Sequence, residues 1–264
     1  MKRLLSYATA IIAALALGHY AVAQTVAQTT STPAPVATSA FDVNIKDWYF
    51  NENFQINTFN GGGSTLVGLN QTLGFSLTKD IAVNLNVPVY TQDDTTTLSN
   101  IDLGATWADL ISGKSSLIGD WKFGVGGGIY IPVGAEYFRN ANVNPYINAD
   151  FSCKIWELDF AQGVGYRFDG GESYITWLGA KTSSDVLSLP TDLTYTWDSF
   201  VLGAKFDQFY YVNSGEYQLF LGPVAKWNVA KNVDIGATVL LPVAQQVSTP
   251  EANTVIKAGI GIKF

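Results

Sequence analysis

Twelve charged residues stand out because each sits at an every-second position shared with small or polar neighbours. They are Asp102, Lys122, Asp150, Lys154, Asp159, Arg167, Lys205, Asp207, Glu216, Lys226, Asp234 and Lys257. Acids and bases are equal in number, and Glu157 and Lys263 at segment ends keep the balance. Gathered on one surface, such a set can line a polar passage of mixed charge. It can equally pair into a filled network, because a charge in a low-dielectric interior needs a partner. The even count of signs argues against strong cation or anion selectivity, which requires rings of one sign.

Catalytic chemistry finds little to work with. The one histidine is His19 and the one cysteine is Cys153, and His19 falls in a stretch read below as an export signal. Without a histidine as base or orienter, ester and peptide hydrolysis lose their commonest proton carrier. Carboxylate-only chemistry would have to use Asp150 or Asp159, and nothing marks them beyond their shared face. The chain reads as a non-enzyme with no catalytic residue, no metal ligand and no cofactor. Asp93 and Asp94 have oxygens that suit Ca²⁺ but read as loop acids. "GVGGG" (124–128) is followed by no helix that could cradle a phosphate.

The elements that must position these charges have a period of two. In "TVIKAGIGIKF" (254–264), Ile256, Ala258, Ile260, Ile262 and Phe264 share one face, while Lys257, Gly259, Gly261 and Lys263 share the other. The same alternation marks segments 47–59, 64–77, 81–91, 100–111, 117–133, 144–155, 157–168, 198–211, 216–228 and 232–243, with a weaker one at 172–181. Twelve segments of this length, punctuated by turn residues, carry the dyad signal of an antiparallel up-and-down transmembrane β-barrel. Stretch 182–199 is too long for a tight turn in this scheme, so ten to fourteen strands stay open. Tight "TKD" (78–80), "KIWE" (154–157) and "VAKN" (229–232) contrast with longer polar connections at 91–100, 134–144 and 244–253. Trp48, Trp107, Trp121, Trp156, Trp197 and Trp227 fall near the tight-turn end. Tyr90, Tyr130, Tyr137, Tyr146, Tyr210, Tyr211 and Tyr217 fall near the other, an arrangement expected of two interfacial belts.

Residues 1–23 combine a basic "MKR", an apolar stretch and a small-residue "AVA" site, the pattern of a secretory signal peptide. Residues 24–40 carry no charge and no aromatic residue, which suits a flexible periplasmic leader. The barrel is expected over 41–264. The net charge is −7, and removing Lys2 and Arg3 with the signal leaves the remainder more acidic still. No basic patch is present for nucleic acid. A single cysteine allows no intramolecular disulfide.

Export, alternation and a terminal Phe264 preceded by Ile262 and Ile260 resemble the outer-membrane β-barrels of Gram-negative bacteria. The resemblance implies placement in the cell outer membrane, contact with its lipid, and a terminal strand read by the barrel-assembly machinery. A narrower likeness rests on "IDLGATW" (101–107), "IYIPVG" (129–134) and "FLGPVAKW" (220–227). These are similar to motifs of the transporters named for the MetA pathway of phenol degradation, which implies passage of small hydrophobic or aromatic solutes. Two functions are carried forward. One is a channel or passive transporter for small solutes; the other is a closed structural or adhesive barrel acting through loops 91–100, 134–144 and 244–253.

Overall fold

The computed structural model describes residues 47–59, 65–169, 173–175, 180–247 and 252–264. The expected signal peptide, the leader and residues 41–46 lie outside them. Sixteen strands follow in chain order. They are β1 (Trp48–Phe59), β2 (Leu66–Ser76), β3 (Ile81–Gln92), β4 (Thr95–Leu98), β5 (Asn100–Ser115), β6 (Gly119–Pro132), β7 (Asn144–Ile155) and β8 (Leu158–Arg167). Then come β9 (Ser173–Ile175), β10 (Ala180–Thr182), β11 (Val186–Ser188), β12 (Thr191–Trp197), β13 (Phe200–Tyr211), β14 (Glu216–Ala230), β15 (Val233–Gln246) and β16 (Ala252–Lys263).

Sequential strands pair antiparallel, and β1 also pairs with β16, which closes the sheet on itself. The Phe264 N–H donates to the Trp48 carbonyl at 2.9 Å across this seam. Closure leaves no edge with unpaired donors and acceptors. The wall has twelve strands because β11 and β12 keep one register against both β8 and β13 and act as a single interrupted strand. Hairpin β9–β10 forms a separate two-stranded sheet, and β4 extends the β3 hairpin through a turn at Asp93 and Asp94, both left-handed.

The eighth wall strand is where the sequence expectation is corrected. Segment 172–181 is not in the wall; its described parts are β9 and β10, and the rest lies outside the described residues. The wall strand instead comes from the stretch that looked too long for a turn. Pro190 interrupts it, having no N–H for the ladder. Gly163 N–H still donates to the Pro190 carbonyl at 2.8 Å. The acceptor opposite the missing donor is served by a side chain: Gln162 Nε2 donates to Gly163 O at 2.8 Å and to Pro190 O at 3.0 Å. Thr191 Oγ1 in turn donates to Gln162 Oε1 at 2.7 Å. A side-chain amide thus replaces a backbone one, and the wall stays continuous.

Alternation sorts the side chains into two surfaces. The outer one exposes Leu73, Leu85, Leu103, Ile147, Leu193, Leu202, Leu221, Ile235 and Ile256. Trp48, Trp107, Trp156, Trp197 and Trp227 are exposed around the end with the short turns, as expected. The tyrosine belt at the opposite end is not formed as expected. Tyr90 and Tyr211 are buried inside the barrel, and Tyr130 and Tyr146 pack together on the inner wall. Tyr210 and Tyr217 pair on the outer face; the Tyr137 side chain lies outside the described residues.

Inner-face glycines make room for these rings. A Cβ at Gly68 would strike the Tyr90 ring, and one at Gly74 would strike Tyr49. At Gly128 it would lie 2.7 Å from the Tyr146 hydroxyl. Proline marks discontinuities in the ladder. Pro132 ends β6, Pro242 adjoins a register shift between β14 and β15, and the Pro88 carbonyl accepts from Ser99 where β5 leaves β3.

Candidate functional site in the barrel interior

Eleven of the twelve expected charges lie on the inner face of the wall strands by register; Glu216 sits at the rim, where Ser214 Oγ donates to it at 3.1 Å. The others differ by depth. Close to the turn end, Lys154 and Asp159 face each other across the β7–β8 hairpin at 3.9 Å, with side chains 53% and 33% exposed. Lys226 and Asp234 pair at 3.2 Å across β14 and β15. Lys122 pairs with Asp109 at 2.8 Å.

Halfway along the wall, Lys205 on β13 reaches two acids. Its Nζ lies 2.9 Å from Asp192 and 3.4 Å from Asp207. Here the three side chains are only 13%, 10% and 6% exposed, so the mid-wall charges are sequestered where the turn-end ones are hydrated. Lys257 stands on the same inner face, opposite Gln55 and Thr238. Asp150 accepts from Asn148 Nδ2 at 2.8 Å. Beside it a niche of about 30 Å³, room for a water, is lined by Lys122, Gly163, Pro190 and Asp192 among others.

Toward the loop end the polar residues become aromatic. Tyr146 donates to Asp102 Oδ1 at 2.8 Å, and the Arg167 guanidinium stands over the Tyr130 ring at 5.7 Å. Arg167 Nη2 is buried without a hydrogen-bond partner among the described residues, and the Tyr130 ring face supplies part of the contact to the cation. Beside this group lies an apolar cluster of Phe59, Leu66, Tyr90, Phe138, Phe220, Leu240 and Val255, with Phe209 packed against it. Phe209 also touches the smaller cluster of Val186 and Tyr211, which links the two across the loop end.

Three participants escaped the sequence reading. Asp109 falls on the wrong parity for an inner position, but a register shift between Trp107 and Ile111 turns it inward toward Lys122. Asp192 belongs to the strand hidden behind Pro190. Phe138 sits in a connection, where no periodicity exists to announce a core position. The signal for Asp192 was present in "TDLTYTW", an alternating run; nothing in sequence pattern marks Asp109 or Phe138. Among the described residues no group of three or more acids, cysteines or histidines is placed to hold a metal ion.

No family model matches the chain, and no curated protein matches it. Solved structures do. The barrel is similar to the COG4313 outer membrane channel from Pseudomonas putida F1, with a TM-score of 0.61 and 11% identity over 87% of this chain and 100% of that one. The NanC porin is similar with a TM-score of 0.57 and 9% identity over 81% of this chain and 100% of that one. The KdgM porin in complex with disordered oligogalacturonate gives a TM-score of 0.51 and 12% identity over 81% of this chain and 98% of that one. At such identities the likeness establishes the fold, a closed twelve-stranded antiparallel barrel of the kind that outer-membrane porins and channels adopt.

Proposed function

We propose that this chain is an outer-membrane β-barrel through which small solutes pass passively. The observation that carries the reading is the segregation across one closed wall, apolar outside and ion-paired inside. A barrel in water would have no use for that outer face, whereas a bilayer requires it. Tryptophans at the turn end support setting that end at one interface, taken as the periplasmic one, with the loop end outside. Export by the 1–23 signal and assembly through a terminal signal at Ile260, Ile262 and Phe264 belong to the same reading. The partners are then outer-membrane lipid, the barrel-assembly machinery and a small solute.

Three short motifs support a finer statement about the solute. "IDLGATW", "IYIPVG" and "FLGPVAKW" resemble the MetA-pathway transporters, which favours hydrophobic or aromatic solutes within the small-solute class. The charged inner wall gives little reason to prefer ions of one sign, because it mixes acids and bases and pairs Lys122, Lys154, Lys205 and Lys226 with carboxylates.

Reconstitution tests the proposal. Purified barrel in proteoliposomes should accelerate uptake of small solutes over protein-free vesicles; sealed vesicles at every solute size would overturn it. A closed structural or adhesive barrel is the second reading, favoured by the apolar cluster that fills the loop end. It predicts no uptake by any variant, and loss of partner binding when loops 91–100, 134–144 or 244–253 are shortened.

A further inference from the structure

Seven members of the loop-end cluster come from one continuous arc of wall. Phe209, Phe220, Leu240, Val255, Phe59, Leu66 and Tyr90 lie on β13, β14, β15, β16, β1, β2 and β3, which are successive neighbours in the ring. Their side chains share the inner face, and an arc alone would leave the far side of the interior empty. Phe138 supplies what the arc lacks. It belongs to the connection between β6 and β7, on the opposite side of the ring from β16, yet it joins the same cluster and is only 2% exposed. The cluster therefore joins inner-face side chains of the arc to one carried by a connection outside it.

The strap that carries Phe138 is pinned on its own side of the barrel. The Ser99 hydroxyl donates to the Phe138 carbonyl. Asn100 and Asn140 bond reciprocally, Asn140 N–H to Asn100 Oδ1 at 2.7 Å and Asn100 Nδ2 to Asn140 Oδ1 at 3.0 Å. Ala135 N–H donates to Thr97 Oγ1 at 3.0 Å. One short 3-10 turn, Glu136–Phe138, then directs the ring inward. These bonds fix the strap at its base, and the Phe138 side chain packs into the apolar cluster.

We propose that Phe138 is the constriction residue of the pathway and that it makes the passage selective for uncharged solutes over ions. This rests on the channel reading above. An ion passing the ring of Phe138 loses hydration that the hydrocarbon side chains of the cluster do not replace, whereas an uncharged solute carries a smaller penalty. The paired charges below the constriction then act as a hydrated vestibule and take no part in ion selection.

The test compares potassium chloride conductance in planar bilayers with neutral-sugar uptake in liposome swelling. Wild type is expected to admit the sugar while conducting ions close to the bare-bilayer level. Phe138→Ser should raise ion conductance by about tenfold or more, and Phe138→Leu should stay close to wild type, since it keeps an apolar plug. Asn100→Ala, which removes both reciprocal bonds to Asn140 and loosens the strap without touching the ring, should give intermediate or flickering conductance and covers the case in which Phe138→Ser fails to fold. Equal ion conductance in wild type and both opening variants would overturn the role of Phe138 and leave the channel reading standing. Absence of both conductance and swelling in every folded variant would overturn the channel reading itself.

Discussion

At the loop end of the barrel, Leu66, Phe220 and Val255 are almost completely buried in one apolar cluster with Phe138 of the β6–β7 connection. At the turn end, Lys154, Asp159, Lys226 and Asp234 pair with close neighbours on adjacent strands and remain partly hydrated. The same strands therefore support two different modes of filling. Apolar packing joins several strands and a connection in one cluster and excludes water. Neighbour-to-neighbour ion pairing satisfies charges locally and keeps them hydrated. The difference teaches that the closure of this interior resides in a few side chains near one rim, while the polar residues that dominate its wall set its hydration.

Four substitutions break or sharpen that contrast. The largest loss is expected from Phe220→Ala, which removes a buried ring from the loop-end cluster and should cost about 3–5 kcal/mol of unfolding free energy. Urea titration of the folded, heat-modifiable band would measure it; a cost near that of a surface change would show that the cluster is loosely packed. Lys205→Met comes next, because it leaves Asp192 and Asp207 facing each other without their cation, at about 3 kcal/mol. A triple variant that also replaces Asp192 and Asp207 with asparagine should recover much of that loss. Gln162→Leu should cost about 1–3 kcal/mol by leaving the Gly163 carbonyl without its substitute donor, with faster amide exchange in β8 and β12 as the local readout. The smallest effect belongs to Lys154→Ala, expected at about 0.5 kcal/mol or less because the pair is long and hydrated. A Lys154 effect as large as that of Lys205 would erase the distinction drawn between mid-wall and turn-end charges.

Much of the wall was legible because a barrel strand shows its two environments at alternate residues. In β16, isoleucines and lysines sort to opposite faces without ambiguity, and the register against β1 and β15 follows the same sorting. The eighth wall strand was concealed for a definite reason. Pro190 argues against a strand when read alone, and its compensation by the outer-face Gln162 exists only once β8 and β12 lie side by side. Tyr90, Tyr130 and Tyr146 were placed at the correct end and on the wrong surface, since aromatic type suggested a belt while parity put them inside. Their neighbours Gly68 and Gly128 were the available correction, because a missing Cβ on the inner face is room for a ring. Phe138 lay beyond sequence reasoning altogether: a core side chain carried by a connection has no periodicity along the chain to mark it.

The tyrosines laid over glycines have a consequence for aperture. The circumference of a barrel is set by strand number and stagger, and changing either means rebuilding every hydrogen-bonded neighbour. A ring resting on Gly68, Gly74 or Gly128 thickens the wall inward without altering that circumference. Bore and perimeter thereby become independent quantities, and the free cross-section of a twelve-stranded barrel can be adjusted by single substitutions while the hoop that encloses it stays the same.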